Sequence, residues 1–320
     1  MSKYTIIVYI LLLCSVSSLT GQNKHNNKYD YIASGYYQLV YEADIAHLEG
    51  NDNLAFEKMQ QAAERCPIVN VLMCNEMELY CRLLMKHGQY EKAIAYMDTL
   101  ANEYGKFPIE VLIDIGKDDN LSKNLLKEVP DFYLSKMPKL LRDIEWYYYE
   151  IKRDSIVNIL INIFASDQNV RMATENEPVN VAKMIETDNV NYKRLFQLID
   201  KFGFPNTRLY GSANTKITNN LTALLMHITD HEDIADTILQ FVREGQCEPD
   251  LYGIVVDRKI LLKSLREHGK PMCLYCPFSN TSDEEIIDAE NLDERRIAIG
   301  MPSRAIQRKR IELLTKLYEQ

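Results

Sequence analysis

The sequence lacks the short motifs by which most well-known enzyme classes are recognised. It has no phosphate-cradling glycine loop, no HExxH pair of zinc-binding histidines and no GxSxG nucleophile turn. None of its cysteines stands in a recognisable nucleophile motif. These absences weigh against most of the familiar catalytic families.

Basic residues are also fewer than acidic residues. The chain has 37 Lys and Arg against 46 Asp and Glu, a net charge of −9 and a pI near 5.3. Proteins that bind duplex nucleic acid use clustered Lys and Arg to displace counterions from the phosphates. The one basic cluster, Arg308-Lys309-Arg310, is followed by Glu312 and is typical of a solvated helix face. We therefore predict no nucleic-acid partner.

The apolar run that opens the chain is short. Lys3 precedes an apolar stretch over residues 4–16, and small residues follow, which is the layout of a secretory signal peptide. The stretch is too short for a typical membrane span. We predict a signal peptide over 1–21, a mature protein exported to the periplasm or the extracellular space, and no membrane span after signal removal. A lipid anchor on Cys14 is less favoured, because Leu13 is bulky where lipoprotein signals carry a small residue.

Six cysteines remain after removal of the signal, in a compartment where disulfides persist. Cys273 and Cys276 have the C-x-x-C spacing of a redox or metal site. A zinc site needs two further ligands at similar spacing, and Cys247 alone does not supply them. A structural role, or a pair of free thiols, is therefore favoured over a functional site.

The apolar residues beyond residue 150 keep a helical spacing, and no alternating pattern typical of strands competes with it. The predicted helices lie near 151–171, 180–202, 218–229, 232–245, 250–267 and 293–319. Glycine and proline mark their connections, as at Gly203-Phe204-Pro205. We predict an all-α protein in which residues 151–320 form one compact helical domain.

The N-terminal half contains an internal repeat. Three positions match at a spacing of 38 residues: Gly50 with Gly88, Ala55 with Ala93 and Met59 with Met97. A glycine permits the turn between two antiparallel helices, and a small alanine lets them pack closely. The pattern resembles the tetratricopeptide repeat, whose unit is about 34 residues long. The resemblance implies a short array of helical hairpins, a repeat pair over 29–108, packed against the second domain through connecting helices over 109–150.

Several polar residues interrupt the apolar stripes of the C-terminal helices. They are Asp167 with Arg171 in the first predicted helix, Asp188 with Asn191 in the second, and Asp257 with Arg258 in the fifth. Burying such groups singly costs several kcal/mol, so they need partners across the helical bundle. We therefore predict one shared polar cluster, to which Gln168 and His227 also belong.

Two interpretations of this cluster stay open. Acid–arginine pairs need each other whether or not a ligand is present, which favours a structural network that fixes the helix register. The other interpretation is a polar pocket with His227 as acid or base and with Gln168 free to contact a ligand. His227 and His231 lie four residues apart, but no third ligand accompanies them. We predict no metal site and no cofactor.

A series of short motifs runs through residues 151–302. It comprises Asp167-Gln168 with Arg171, Asp188 with Asn191, Gly203-Phe204-Pro205 with Gly211, His227, Asp257-Arg258, and Arg295-Arg296 with Gly300. In these motifs and their order the segment resembles an uncharacterised bacterial helical family, the domain of unknown function 6624. Two elements depart from that family: Met226 replaces a Gln before the His, and residues 272–276 replace a Gln-x-Tyr-Gly-Thr element. The family has no established activity, so the resemblance implies an architecture and not a reaction.

The repeat region and the missing catalytic motifs together predict a protein that works by binding or as a scaffold, with a peptide or protein partner in the repeat groove. The alternative is a hydrolase-type enzyme with a polar cleft in the C-terminal helical domain, using His227 with Asp167 or Asp257. An open cleft among the candidate residues favours the enzyme, whereas closure in mutual salt bridges favours the binding protein.

Overall fold

The computed structural model describes residues 28–72, 75–106, 108–142, 154–172, 180–211, 215–229, 231, 233–277 and 281–319. The signal peptide predicted over 1–21 lies outside these residues. Within them the chain is all-α, as predicted from the apolar spacing. The β-type pairing in the described part is a single parallel bridge between Cys273 and Ile286.

The described helices are numbered here in chain order. They are α1 (Tyr36–Leu48), α2 (Asp52–Arg65), α3 (Glu76–Lys86), α4 (Tyr90–Tyr104), α5 (Ile109–Lys117), α6 (Asp119–Glu128), α7 (Met137–Arg142), α8 (Asp154–Arg171), α9 (Val181–Phe202), α10 (Thr207–Tyr210), α11 (Thr215–His227), α12 (Ile234–Arg243), α13 (Pro249–His268), α14 (Leu292–Ala298) and α15 (Arg304–Tyr318). A π-turn over Phe132–Lys136 leads into α7.

The first four helices form two antiparallel hairpins, α1 with α2 and α3 with α4. Gly50 and Gly88 lie in the turns with φ of 78° and 70°, a left-handed conformation that glycine adopts without steric cost. Ala55 and Ala93 are fully buried where the second helix of each hairpin packs on the first. The repeated residues therefore occupy equivalent places in two hairpins, and the assignment of these hairpins to the tetratricopeptide family stays a prediction.

The N-terminal hairpins and the C-terminal helices share one hydrophobic core. Tyr37 on α1 is 1% exposed and donates its hydroxyl to the carbonyl of Val242 on α12 at 2.6 Å. The last helix, α15, packs along α1, and Arg310 Nε lies 2.6 Å from Asp44 Oδ2. These contacts, more than 200 residues apart in sequence, fix the two parts of the chain against each other.

The single helix predicted over 293–319 is wrong, because the structure divides it into α14 and α15. Gly300 adopts φ of 89°, which ends α14, and Pro302 lies in the segment before α15 begins. Ser303 then caps α15 by accepting the amide N–H of Ile306 at 3.3 Å. Across the ranges described above, no helix combines the length and apolar character that a membrane crossing requires.

Candidate functional site

Helix α8 presents the apolar stripe that the sequence predicts. Ile156, Leu160 and Ile163 are buried, and the stripe ends at Asp167, which is 1% exposed. An ionised carboxylate in such a place needs charged or hydrogen-bonding partners. The side chains around Asp167 supply them.

Three side chains converge on the Asp167 carboxylate. Arg171 Nη1 lies 2.8 Å from Oδ1, and Gln168 Nε2 donates to Oδ2 at 2.8 Å. Nδ1 of His227, on α11, lies 3.0 Å from both oxygens. Asp167 therefore ties α8 to α11 through a carboxylate whose two oxygens are both occupied.

The same group extends to α9. Nη2 of Arg171 lies 2.6 Å from Oδ1 of Asp188, so this arginine bridges two acids. Asn191, fully buried one turn further along α9, accepts the hydroxyl of Ser166 at 2.8 Å. Its amide nitrogen is buried without a hydrogen-bond partner. Six of the eight candidate residues thus gather where α8, α9 and α11 meet.

Asp257 and Arg258 lie apart from this group, on α13, and both line a pocket beside residues 271–277. Asp257 on α13 accepts backbone N–H groups from Leu274, Tyr275 and Cys276, at 2.7, 3.0 and 2.6 Å. No hydrogen bond or ion pair among the described residues joins it to Asp167. The single polar cluster predicted from the sequence is therefore divided into two, because the carboxylate of Asp257 is occupied by the loop that follows its own helix.

Arg296 was not among the candidate site residues, yet it completes the second cluster. It is fully buried and donates to the carbonyls of Tyr275 at 2.8 Å, Cys276 at 2.7 Å and Pro302 at 2.7 Å. Only its place in the Arg295-Arg296 motif marked it in the sequence, since its carbonyl partners carry no sequence signal. The cysteines of this loop, Cys273 and Cys276, form a disulfide.

His227 and His231, which lie four residues apart, have different partners in the structure. His231 stacks on Tyr192 with ring centroids 3.6 Å apart, while His227 is engaged by Asp167. In the part of the chain that the structure describes, one group has metal-ligand proximity: Asp257 with Cys273 and Cys276. Because these two sulfurs are bonded to each other, they are not available as thiolate ligands in this state.

A larger concave surface lies elsewhere, between the N-terminal hairpins and the C-terminal helices. This cleft has a volume of about 810 Å³, which is in the range of ligand-binding pockets. Six aromatic side chains line it: Tyr29, Tyr31, Tyr96, Tyr104, Phe202 and Phe204. Burial raises the pKa of Tyr96 and Tyr104 to about 12, so both phenols stay neutral at physiological pH.

The polar residues of the cleft mostly bond to each other or to backbone groups that line it. Gln246 accepts the amide N–H of Phe204 at 3.2 Å and donates to Glu244 at 2.8 Å. Arg208 on α10 and Glu103 on α4 form an ion pair of 2.5 Å across the rim, with 60% and 43% of their side chains exposed. The cleft therefore combines six aromatic side chains with polar groups, among them one solvated ion pair.

Comparison of the chain with family models, with curated proteins and with solved structures gives no significant match.

Proposed function

We propose that this chain is an exported binding protein that holds a peptide, or an extended segment of a partner protein, in the cleft between α4 and the α9–α10 turn. The observation that carries the proposal is the preformed cleft of about 810 Å³ with aromatic walls. Tyrosine supplies a large apolar contact area at low conformational-entropy cost, and aromatic residues dominate protein-binding hot spots.

The charges around the cleft favour an occupant with apolar or aromatic side chains and little net charge. Of the three charged residues that line it, Glu103 and Arg208 pair with each other, and Glu244 accepts amide N–H groups from Gln240 and Gln246 at 2.8 Å. A strongly charged ligand would find no concentration of opposite charge there. Side chains that stack on the tyrosines are the complementary choice.

The Asp167 cluster supports binding over the hydrolase alternative. The Arg171 guanidinium is shared by Asp167 and Asp188. Asp167 also holds Nδ1 of His227, as in catalytic Asp–His pairs, so the location of the histidine decides between the two functions. Neither His227 nor Asp167 lines the cleft. A general base needs a reacting atom within hydrogen-bond reach, and a ligand held in the aromatic cleft would lie on a surface that His227 does not line.

The test uses a substitution that fills the cleft without changing the fold. Thr99 lines the cleft on α4, and its hydroxyl bonds the carbonyl of Ala95 one turn earlier at 3.0 Å. Thr315 on α15 makes the same bond to Ile311 at 2.9 Å and is exposed outside the cleft. Thr99→Trp and Thr315→Trp are therefore a matched pair, in which one indole occupies the cleft and the other lies on the surface.

Peptides from a displayed random library are selected on the wild-type protein and their dissociation constants are measured on all three proteins. We expect apolar, aromatic-containing peptides that bind wild type and Thr315→Trp equally and Thr99→Trp at least about tenfold more weakly, a loss of about 1.4 kcal/mol. Circular dichroism and melting curves establish that Thr99→Trp is folded. Selected peptides that bind Thr99→Trp as tightly as wild type would place binding outside the cleft and overturn the proposal.

A further inference from the structure

The loop that carries Cys273 and Cys276 is held by charged side chains on both of its backbone edges. The N–H groups of Leu274, Tyr275 and Cys276 all point to the carboxylate of Asp257. The carbonyls of Tyr275 and Cys276 accept from the guanidinium of Arg296. We expect these hydrogen bonds to keep the loop backbone in place when the disulfide opens.

A carboxylate lies beside the two sulfurs. One oxygen of Asp257 and the Sγ atoms of Cys273 and Cys276 all lie within 4.8 Å of one another. Burial raises the pKa of the Asp257 carboxyl, and the three backbone N–H groups act in the opposite direction. Besides holding the loop amides, a carboxylate at this distance affects the protonation of any thiol that forms when the disulfide opens.

The disulfide also borders a cavity. A pocket of about 260 Å³ is lined by Cys273, Cys276 and Asp257 together with mainly apolar side chains, among them Ile254 and Met272. Cys273 is partly exposed, whereas Cys276 is buried. Within the described ranges the free cysteines are Cys66, Cys81 and Cys247, and all three are buried, so they lack the access to an external thiol that exchange requires.

We propose that Cys273 and Cys276 form a redox-active disulfide that exchanges with the thiols of a partner polypeptide, whose apolar side chains enter the adjoining cavity. The grounds are the juxtaposition of the C-x-x-C pair, a buried carboxylate and an apolar pocket open to both sulfurs. This activity is separate from peptide binding in the aromatic cleft, because the two sites share no lining residue.

The exchange proceeds by two displacements. A partner thiolate attacks Sγ of the more accessible Cys273 and forms a mixed disulfide with it, while the Cys273–Cys276 bond breaks and Cys276 leaves as a thiolate. A second partner thiolate then attacks the partner sulfur of that mixed disulfide, and Cys273 leaves as a thiolate. The partner dithiol loses two electrons and becomes a disulfide, while Cys273 and Cys276 gain them and take up the two protons that the partner thiols release. The reverse sequence reduces a partner disulfide.

Asp257 is a positioning residue in this scheme. Its hydrogen bonds keep the loop in place in both redox states, and its negative charge opposes the formation of a second negative charge on a neighbouring sulfur. We expect it to set the pH at which the reduced cysteines become nucleophilic.

The first experiment asks whether the native protein exchanges. The full chain is incubated with millimolar dithiothreitol without denaturant, and reduced cysteines are counted by alkylation and mass spectrometry while ellipticity is followed. We expect Cys273 and Cys276 to be alkylated with the helical signal unchanged. Persistence of the disulfide in the folded protein, or its reduction only as the helical signal is lost, would show a structural disulfide and overturn the proposal.

The second experiment measures turnover with insulin as the disulfide probe and dithiothreitol as the electron source. We expect the wild-type protein to accelerate insulin reduction by about tenfold or more over dithiothreitol alone. Cys273→Ser is expected to abolish the acceleration, and Cys81→Ala, which removes a buried thiol on α3, to retain it. A wild-type rate equal to that of dithiothreitol alone, or full activity in Cys273→Ser, contradicts the assignment.

The third measurement tests Asp257. Asp257→Asn keeps one acceptor oxygen for the loop amides and removes the charge. We expect the midpoint of the pH–rate profile for alkylation of the reduced protein to fall, because the thiolates are no longer opposed by a carboxylate. A purely structural role for Asp257 would lower the melting temperature and leave that midpoint unchanged.

Discussion

Both carboxylate oxygens of Asp167 lie 3.0 Å from Nδ1 of His227. Oδ1 of the same carboxylate lies 2.8 Å from Nη1 of Arg171, and Asp167 is 1% exposed. A buried ion pair of this kind adds little stability compared with an apolar pair, but removal of one partner leaves the other charge buried and unpaired. Substitutions of single residues in this cluster therefore measure how far the packing of α8 against α9 and α11 depends on these contacts.

Asp167→Ala is expected to lower the free energy of unfolding by about 1–3 kcal/mol, because Gln168, Arg171 and His227 each lose a buried acceptor while Arg171 keeps Asp188 as a charged partner. Replacing Arg171 by Met in the same background should recover part of this loss, with a coupling energy of about 1–3 kcal/mol between the two positions. Urea unfolding of the two single variants and the double variant measures both quantities. The exposed pair Lys309–Glu49 is the control, since Lys309→Ala should cost no more than about 1 kcal/mol.

Among the contacts of the candidate residues, the sequence specifically predicted only a pair within one helix. The i,i+4 spacing of Asp167 and Arg171 within one helix brings their side chains together, so the sequence alone identified this pair. The partners of Asp257 are backbone amides 17 to 19 residues later, in a loop whose path no periodicity predicts. The burial of Arg296 depends on carbonyls of the same loop. Interactions with backbone groups of irregular segments are therefore the ones that sequence patterns missed.

Sequence patterns also predicted some glycine turns and missed another. The turns at Gly50 and Gly88 could be predicted because each follows one helix of the repeat and precedes the next. The break at Gly300 was missed because the apolar spacing resumes beyond it in the same register of a helical pattern. The helix end is marked in the sequence by Gly300 and by Pro302 two residues later, and in the structure by φ of 89° at Gly300.

Gly245 gives a second prediction, at the junction between the hairpins and α12. It has φ of 70°, and a Cβ atom placed on it would lie 2.6 Å from Cε2 of Tyr31. Gly269 has φ of 66° but no atom within 4 Å of such a Cβ. Both substitutions to Ala incur the left-handed strain of about 1–2 kcal/mol, and Gly245→Ala should cost about 1–3 kcal/mol more from the clash.

Thermal and urea unfolding of Gly245→Ala and Gly269→Ala give the difference directly. Because Tyr31 and Gly245 both line the aromatic cleft, Gly245→Ala should also weaken the binding of cleft-selected peptides, and Gly269→Ala should leave it unchanged. Equal destabilisation by the two variants would show that the Tyr31 ring moves aside without cost.

The third prediction concerns Glu248 and the pH dependence of the free energy of unfolding. It precedes α13 as the N-cap residue, and its side chain makes no capping hydrogen bond. Burial, followed by the charges of Asp250 and Glu76, raises its pKa from 4.5 to about 8. The folded protein therefore holds a proton on Glu248 at pH values at which the unfolded chain has released it.

A group that binds more protons in the folded state lowers stability as the pH rises. Glu248 is protonated in both states below pH 4.5, so its burial carries no charge penalty there. Between pH 4.5 and 8 the unfolded chain ionises first, and stability falls by at most about 1.4 kcal/mol per pH unit from this group. Above pH 8 the loss is complete, because the group is ionised in both states.

Glu248→Gln removes this titration and keeps the shape of the side chain. We expect the variant to match wild type in unfolding free energy below pH 4.5 and to exceed it by about 1 kcal/mol or more above pH 8. Glu312→Gln, at an exposed position on α15, should follow the wild-type curve throughout. Urea midpoints measured across this range test the prediction. A constant offset between Glu248→Gln and wild type would contradict it, because it would mean that folding does not shift the pKa of the Glu248 carboxyl. Glu248 would then be ionised beside Asp250 above its ordinary pKa, and the cations that act on Asp250 are Arg296 and Arg310.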